Sequence, residues 1–293
     1  MPTAFPRNDR VLEIQGVPLG YAVYGRPGGI PAFYFHGLPG SRREGALLHA
    51  ACLEAGVCVI APERPGYGLS APAPGARLDA WPERVAALAD ALGIGSFHLI
   101  AVSGGAPYAL ACASRLSERV IGTAICCGLG DLTRPGLAAA MQFNARLAMW
   151  LVRRGPAWLH WTCGPPVTQL VRRAPRLAVA IQGWIDGPAD RAMLRQPAIR
   201  GLFADSLGEA FRQGPAGAVA DLATAIRPWP FVLEGIRNLQ LWHGLADRVV
   251  PPLHSDWLAQ AVPQARLTRV PGEGHFSLPI RHVREVVGAL VKA

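Results

Sequence analysis

The stretch HLIAVSGGAPYAL, residues 98 to 110, decides how this chain folds. Its first half is a continuous apolar run that is typical of a buried strand, and its second half has the apolar spacing of a helix. Between the two halves stands one hydroxyl group, that of Ser103, with small residues beside it. Serine and glycine are common in ordinary strand-to-helix turns. Such a turn can also hold a hydroxyl group out for chemistry.

The segments on either side of this stretch alternate between strands and helices. An opening hairpin is predicted around Gly16 and Val17. Further strands are predicted at IPAFYFHG, VCVIAPE, FHLIAVS, VIGTAICCGL, LQLWHG and ARLTRVPG. Apolar strands that alternate with helices predict a mostly parallel sheet of about eight strands with helices on both faces. The predicted fold class is therefore α/β.

Three of the intervening helices carry more specific expectations. RREGALLHAACLEAG is predicted as one helix that ends at Gly56. DAWPERVAALADALG is predicted as a helix with Asp79 as its N-cap and Pro82 in its first turn. PIRHVREVVGALV is predicted as a single closing helix.

The alternation stops between about Asp131 and about Ile236. This part of the chain is helix-like, is broken by Pro and Gly, and has no convincing strand. It predicts a helical cap over residues 131–236, inserted between two parts of an α/β core at 1–130 and 237–293.

Length and composition indicate a globular protein. The chain has 293 residues, of which 51% are hydrophobic and 17% charged, so it can bury the core of one enlarged domain or of a domain plus an insertion. The start, MPTAFPRNDR, has no apolar stretch of signal-peptide length, and no window of about 18 apolar residues follows. We therefore expect a cytoplasmic location and no stable insertion into a membrane.

Cysteines and charges argue against two further kinds of site. The cysteines lie in apolar runs without the paired spacing of metal ligands, which favours free buried thiols and no metal site. They are Cys52, Cys58, Cys112, Cys126, Cys127 and Cys163. The net charge of +9 comes from scattered arginines, with Lys292 as the only lysine and no run of five basic residues. Nucleic-acid binding is therefore not expected.

Five of the predicted strands end in polar residues, and sites in open α/β sheets form at these carboxyl ends. The polar groups are HGLPG (36–40), ERPGYG (63–68), SGG (103–105), Asp247 shortly after WHG, and His275 in PGEGHF. Together they contain a serine, an acid and a histidine in the chain order Ser, Asp, His. That order is the one found with a nucleophile elbow.

The motifs resemble those of the α/β-hydrolase fold superfamily. AVSGG (101–105) resembles the G-x-S-x-G nucleophile elbow, with Ala101 at the first glycine position. FHGLPGS resembles the HGxP turn, and PERPGYGLS resembles the D-R-P-G-x-G-x-S segment with Glu63 in place of Asp. The chain is similar over most of its length to the capped serine hydrolases of this superfamily. A serine at position 103 argues against the dehalogenase and epoxide-hydrolase branches, which carry Asp there.

The resemblance implies roles for individual residues. Ser103 is the expected nucleophile, and the backbone N–H groups of Leu38 and Gly104 are the expected oxyanion hole. The Leu38–Pro39 bond is expected to be cis, as in relatives with the HGxP turn. His36 and the PERPGYGLS segment are expected to be scaffold.

His275 is the expected base, because it follows the last strand at a Gly-rich turn and precedes Phe276, like the G-H-F pattern of the superfamily. Asp247 in GLADRVVP resembles the acid turn after the seventh strand, where it would orient the imidazole. Asp131 follows the sixth strand, where some relatives place the acid, and it stays open as the rival.

The expected reaction is the hydrolysis of an ester or related acyl substrate through an acyl-enzyme, without a cofactor. The expected partner is a small-molecule acyl substrate with an apolar part, in a pocket roofed by some of the large apolar residues of the cap. These are Met141, Phe143, Trp150, Trp158, Trp161, Trp184 and Phe203. The substrate bond, the substrate-binding residues and homo-oligomerisation stay open. A ligand receptor with the hydrolase fold and a cofactor-free perhydrolase with the same triad are the alternatives.

Overall fold

The computed structural model describes residues 5–73, 75, 77–162 and 164–292, so Cys163 lies outside the described residues. Its centre is an eight-stranded sheet in the order β1-β2-β4-β3-β5-β6-β7-β8. The strands are β1 (Asp9–Ile14), β2 (Val17–Gly25), β3 (Ile30–Phe35), β4 (Val57–Pro62), β5 (Phe97–Val102), β6 (Val120–Cys126), β7 (Leu239–Gly244) and β8 (Arg266–Val270). β2 is antiparallel to β1 and β4, and the other neighbours are parallel. The predicted sheet is confirmed.

The opening hairpin also forms as predicted. Ile14 pairs with Val17, and the two residues between them, Gln15 and Gly16, both have positive φ angles of 52° and 76°. A two-residue turn of this kind matches the right-handed twist of the strands that it joins.

The helices cover both faces of the sheet. They are α1 (His49–Ala55), α2 (Trp81–Ala91), α3 (Ala106–Arg115), α4 (Leu137–Ala140), α5 (Phe143–Arg154), α6 (Pro156–Thr162), α7 (Gly164–Arg173), α8 (Pro175–Asp186), α9 (Pro188–Leu194), α10 (Pro197–Ala210), α11 (Ala216–Ala225), α12 (Leu253–Ala261), α13 (Ser277–Arg281) and α14 (Val283–Leu290). Phe33 and Phe35 of β3 pack in one core with α2, α3 and α12. Ala32 and Tyr34 pack in a second core with α1 and α14. This alternation follows from the two-residue period of a strand.

Three local predictions need correction. The segment before Gly56 begins as a 3-10 helix, Arg42–Leu48, and only then continues as α1. Pro82 lies in the first turn of α2 as predicted, but Asp79 lies inside a preceding 3-10 helix and pairs with Arg77, so it is not the N-cap. The closing helix is broken at His282, whose φ of −101° and ψ of 13° leave the helical range and separate α13 from α14.

The stretch predicted as a cap holds helices α4 to α11, and its described residues include no strand. Its treatment as a separate unit with bounds at 131 and 236 stays a prediction. The five cysteines among the described residues are free. No helix in the described parts of the chain is long and apolar enough to cross a membrane.

Candidate active site

Ser103 lies on a tight turn between β5 and α3. Ser103–Gly105 form one 3-10 turn, and Ser103 has a φ of +55°, which is rare for a residue with a side chain. A Cβ atom at Gly105 would lie 2.3 Å from the carbonyl oxygen of Phe35, so only glycine fits there. The turn therefore combines close packing against β3 with a strained serine, and such strain is concentrated at functional sites.

The turn after β3 lies directly against this serine turn. A Cβ atom at Gly104 would lie 2.5 Å from the Leu38 Cβ atom and 3.2 Å from the Leu38 backbone nitrogen. The structure thus brings the two residues with the expected oxyanion N–H groups together. The Leu38–Pro39 bond is cis, as predicted.

Two side chains, those of Arg64 and Glu44, bond to the turn after β3. Arg64 donates hydrogen bonds to the carbonyl oxygens of His36 (2.7 Å) and Gly37 (2.6 Å). The Gly37 N–H donates to the Glu44 carboxylate at 3.0 Å. Burial, and then the charge of Arg64, lower the pKa of His36 well below its ordinary value. His36 is therefore neutral, and its ring accepts from the Arg64 N–H, which agrees with a scaffold role.

The Arg64 guanidinium is itself paired with a carboxylate from helix α11. Its Nε atom donates to Asp221 at 2.8 Å, and both side chains are buried. The hydroxyl groups of Tyr67 and Tyr108 also donate to Asp221, at 3.0 and 2.6 Å. A helix of the predicted cap therefore fixes the residue that holds the turn after β3.

The PERPGYGLS segment makes the contacts of a scaffold. The buried Glu63 carboxylate accepts hydrogen bonds from Arg42 (2.7 Å) and from the Leu69 N–H (2.8 Å). Gly68 has a φ of +47°, and a Cβ atom there would lie 2.1 Å from a Glu63 oxygen. The glycine and the glutamate thus close one turn together.

His275 contacts Asp247. The distance from His275 Nδ1 to Asp247 Oδ2 is 2.8 Å, and Asp247 Oδ1 accepts the N–H groups of Val249 and Val250. Burial opposes the charge of Asp247, but the attraction of His275 and hydrogen bonds from His243 and His275 hold the pKa of this carboxyl well below its ordinary value. Burial also opposes the charge of His275, but Asp247 raises the pKa of His275 above its ordinary value.

The rival acid, Asp131, has local partners. Its Oδ1 atom accepts hydrogen bonds from the N–H (3.0 Å) and the hydroxyl group (2.6 Å) of Thr133, and its Oδ2 atom pairs with Arg134. Of the two acids that the sequence left open, Asp247 is the one that the structure places on His275.

Ser103 and His275 line one cavity of about 360 Å³. Most of the other lining side chains are apolar, including Leu38, Leu47, Val102, Val167, Leu170, Val171, Val179, Ile181, Leu194, Phe203, Leu207, Phe211, Val249 and Phe276. Of the aromatic residues expected to roof the pocket, Phe203 lines it. Phe143, Trp150, Trp158, Trp161 and Trp184 lie exposed at the surface.

Comparison with known proteins agrees with the fold. The model of the Alpha/beta hydrolase family matches residues 32–289. The chain belongs to this family. Over 114 residues it is 34% identical to the uncharacterized hydrolase YcgS of Bacillus subtilis (strain 168), and the match spans 39% of each protein.

Solved structures of other proteins share the fold. A bromoperoxidase from Bacillus anthracis has a TM-score of 0.71 and 20% identity, with 97% of this chain and 99% of that chain covered. A thermophilic esterase from Thermogutta terrifontis has a TM-score of 0.67 and 20% identity, with 97% and 96% covered. At these identities the likeness shows the fold alone.

One residue of the site in this alpha/beta hydrolase has no motif in the sequence. Asp190, on helix α9, accepts the backbone N–H groups of three consecutive residues: His275 at 2.9 Å, and Phe276 and Ser277 at 2.8 Å each. Asp190 is buried, and so are His275 and Ser277. The segment DGPADR gives no signal of this contact, because the partners of Asp190 lie 85 or more residues away in the chain.

Behind Asp247 lies a buried cluster. Potential metal-ligand atoms of Cys127, His243 and Asp247 lie within 4.8 Å of one another. However, the two ring nitrogens of His243 contact the Ser255 hydroxyl and the Val250 carbonyl oxygen (2.8 Å). Both ring nitrogens of His243 thus already have protein partners, and Nε2 also lies 3.4 Å from Asp247 Oδ2.

Proposed function

We propose that this alpha/beta hydrolase cleaves an ester or related acyl bond with Ser103 as nucleophile. The observation that carries the proposal is the 2.8 Å contact of His275 Nδ1 with Asp247, beside a cavity that Ser103 and His275 share. Because the Nδ1–H group of His275 donates its hydrogen bond to Asp247, Nε2 is the ring nitrogen with a free lone pair. Nε2 can therefore accept the proton of Ser103.

The proposed reaction has two halves. Ser103 Oγ attacks the acyl carbon while His275 Nε2 takes its proton, and the N–H groups of Leu38 and Gly104 bind the oxyanion. The imidazolium, stabilised by the charge of Asp247, gives the proton to the leaving alcohol. Water then attacks the acyl-enzyme with His275 as base, which releases the acid and restores Ser103.

The substrate is proposed to carry an apolar acyl group. The cavity is lined mostly by aliphatic and aromatic side chains, and burial of each methylene there stabilises the complex by about 0.8 kcal/mol. Several of these side chains come from helices α7, α8 and α10, which supports a cap over residues 131–236 that closes the pocket.

Labelling with a fluorophosphonate tests the nucleophile. The reagent should modify the chain once, at the peptide that contains Ser103, and the His275→Ala variant should react very slowly. Ser117→Ala, at an exposed serine, is the matched control and should react like the parent. Mass spectrometry of the digest that finds the label spread over several serines would contradict the proposal.

Turnover of p-nitrophenyl esters of increasing acyl length tests the activity. Ser103→Ala should lower kcat by about 10⁶-fold, the loss seen for a triad nucleophile. A chain that labels at Ser103 but turns over no ester would be a ligand receptor. A chain that forms peracid from acid and peroxide faster than it hydrolyses esters would be a perhydrolase.

A further inference from the structure

The positive charge of the chain is concentrated in the basic cap segment, which we define as residues 132–185. This segment contains seven arginines and no Asp or Glu, whereas the rest of the chain has 22 Lys and Arg against 20 Asp and Glu. The seven are Arg134, Arg146, Arg153, Arg154, Arg172, Arg173 and Arg176, and all are exposed. Most of the net charge of the protein therefore lies on this part of the cap.

The same segment exposes large apolar side chains in helical register. On α5, Phe143, Leu147 and Trp150 are spaced by four and three residues and form one exposed face, opposite the buried Met149 and Val152. Residues at this spacing lie on one side of a helix.

Helix α8 repeats the pattern. Leu177, Ile181 and Trp184 form its exposed face, opposite the buried Val179. The most exposed aromatic residues of the segment are Phe143 (75%), Trp161 (73%), Trp158 (61%) and Trp184 (60%). Exposed apolar side chains grouped on helices of one segment indicate a site of interaction.

The exposed surface reaches the active-site cavity. Val167 on α7 and Ile181 on α8 both line the cavity, and they are also 43% and 44% exposed. They therefore mark a mouth of the cavity between two helices of the basic cap segment. Helices α5 to α8 pack one on the next, so this mouth opens in the layer that carries the arginines and tryptophans.

We propose that the basic cap segment docks the protein on an anionic lipid surface. Arginines bind lipid phosphates, and tryptophan and phenylalanine side chains enter the headgroup region, where amphipathic rings are favoured. A second copy of the chain is a poorer occupant, since pairing through this face would bring two acid-free sets of seven arginines together. Docking would place the mouth at Val167 and Ile181 against the lipid.

Docking goes beyond the proposed hydrolysis and is measured without turnover. The parent protein is mixed with vesicles of phosphatidylcholine alone, or of equal parts phosphatidylcholine and phosphatidylglycerol, and the bound fraction is read by flotation. Binding is expected on the anionic vesicles only. It should weaken as salt is raised from about 0.1 M to 1 M, because the screening length falls from about 10 to 3 Å.

Two cap variants with matched controls locate the surface. Arg153→Glu with Arg154→Glu should lower partitioning by more than tenfold, since each basic residue contributes about fivefold. Phe143→Ser with Trp161→Ser should also weaken binding. Arg237→Glu with Arg266→Glu, and Val11→Ser with Val232→Ser, make the same charge reversal and a similar apolar-to-serine change at exposed positions outside the segment, and they should bind like the parent.

The outcomes separate docking from catalysis. Ser103→Ala should bind vesicles like the parent, and the cap variants should hydrolyse a short water-soluble ester like the parent. Absence of parent binding to anionic vesicles, or equal losses in the cap and control variants, would overturn the proposal. Cap variants that convert a dimer to a monomer, with no vesicle binding by the parent, would overturn it in favour of self-association.

Discussion

At the scale of the single residue, the site depends on which atom of Asp247 faces His275. In Asp247→Asn the side-chain oxygen can still accept the N–H groups of Val249 and Val250, which places the amide NH₂ on His275 Nδ1. The ring then carries its proton on Nε2 and cannot accept the proton of Ser103. We expect kcat to fall by about 10³–10⁴-fold with the fold retained.

Asp131→Asn is the matched control for this measurement, because Asp131 bonds Thr133 and Arg134. Its kcat should stay close to that of the parent. A larger loss in Asp131→Asn than in Asp247→Asn would reverse the assignment of the acid.

The pKa of His275 predicts the pH dependence. His275 must be neutral to act as base, and Asp247 raises its pKa above the ordinary value of about 6.5. The value of kcat/KM should therefore increase with pH along a limb whose midpoint lies above 6.5. Asp247→Asn removes the charge that raises this pKa, so the limb should move to lower pH. A parent midpoint below 6.5 would contradict the prediction.

At the scale of the element, helix α9 holds the loop that carries His275. Asp190→Ala leaves the buried N–H groups of His275 and Ser277 and the partly buried N–H of Phe276 without their acceptor, at a cost of about 1–3 kcal/mol for each buried group left unsatisfied. Asp190→Asn keeps one acceptor oxygen and nearly the same volume. We expect it to slow labelling of Ser103 by about 10²-fold through misplacement of the imidazole.

Thermal unfolding, measured alongside the labelling rate, separates positioning from folding. Asp205→Asn, at a half-exposed acid of the neighbouring helix α10, should leave the labelling rate unchanged and should affect unfolding only through the loss of its pair with Arg7. If Asp190→Asn unfolds at a lower temperature but labels at the parental rate, Asp190 has a structural role only.

At the scale of the whole molecule, the ion pair of Arg64 and Asp221 joins the turn after β3 to helix α11. Asp221→Asn leaves a buried guanidinium without a carboxylate, which should lower the free energy of unfolding by about 3–5 kcal/mol. Replacing both, as Arg64→Met with Asp221→Leu, removes both charges and should recover part of that stability.

The double variant should nevertheless stay poorly active, because the carbonyl oxygens of His36 and Gly37 lose their donor. Urea unfolding and kcat/KM, measured on the parent, on Asp221→Asn and on the double variant, test whether stability is recovered without activity. Parental activity in the double variant would show that Arg64 does not position the turn.

The sequence alone determined the order of the elements, the hairpin, the serine turn and the residues at the strand ends. These features are local, because strand and helix periods, turn glycines and short motifs each depend on residues that lie close together in the sequence. The same kind of reasoning was wrong at Asp79 and His282, where the ends of helices depend on 3-10 turns and side-chain contacts that periodicity does not encode.

Only the tertiary structure decided which acid meets His275 and which residues between β6 and β7 support the site. Asp247 lies 28 residues from His275, Asp190 lies 85 residues from it, and Asp221 lies 157 residues from Arg64. Hydrogen bonds between residues so far apart leave no periodic pattern in the sequence. They exist because the α/β core and the helices between β6 and β7 fold against each other, and buried polar groups there must find partners.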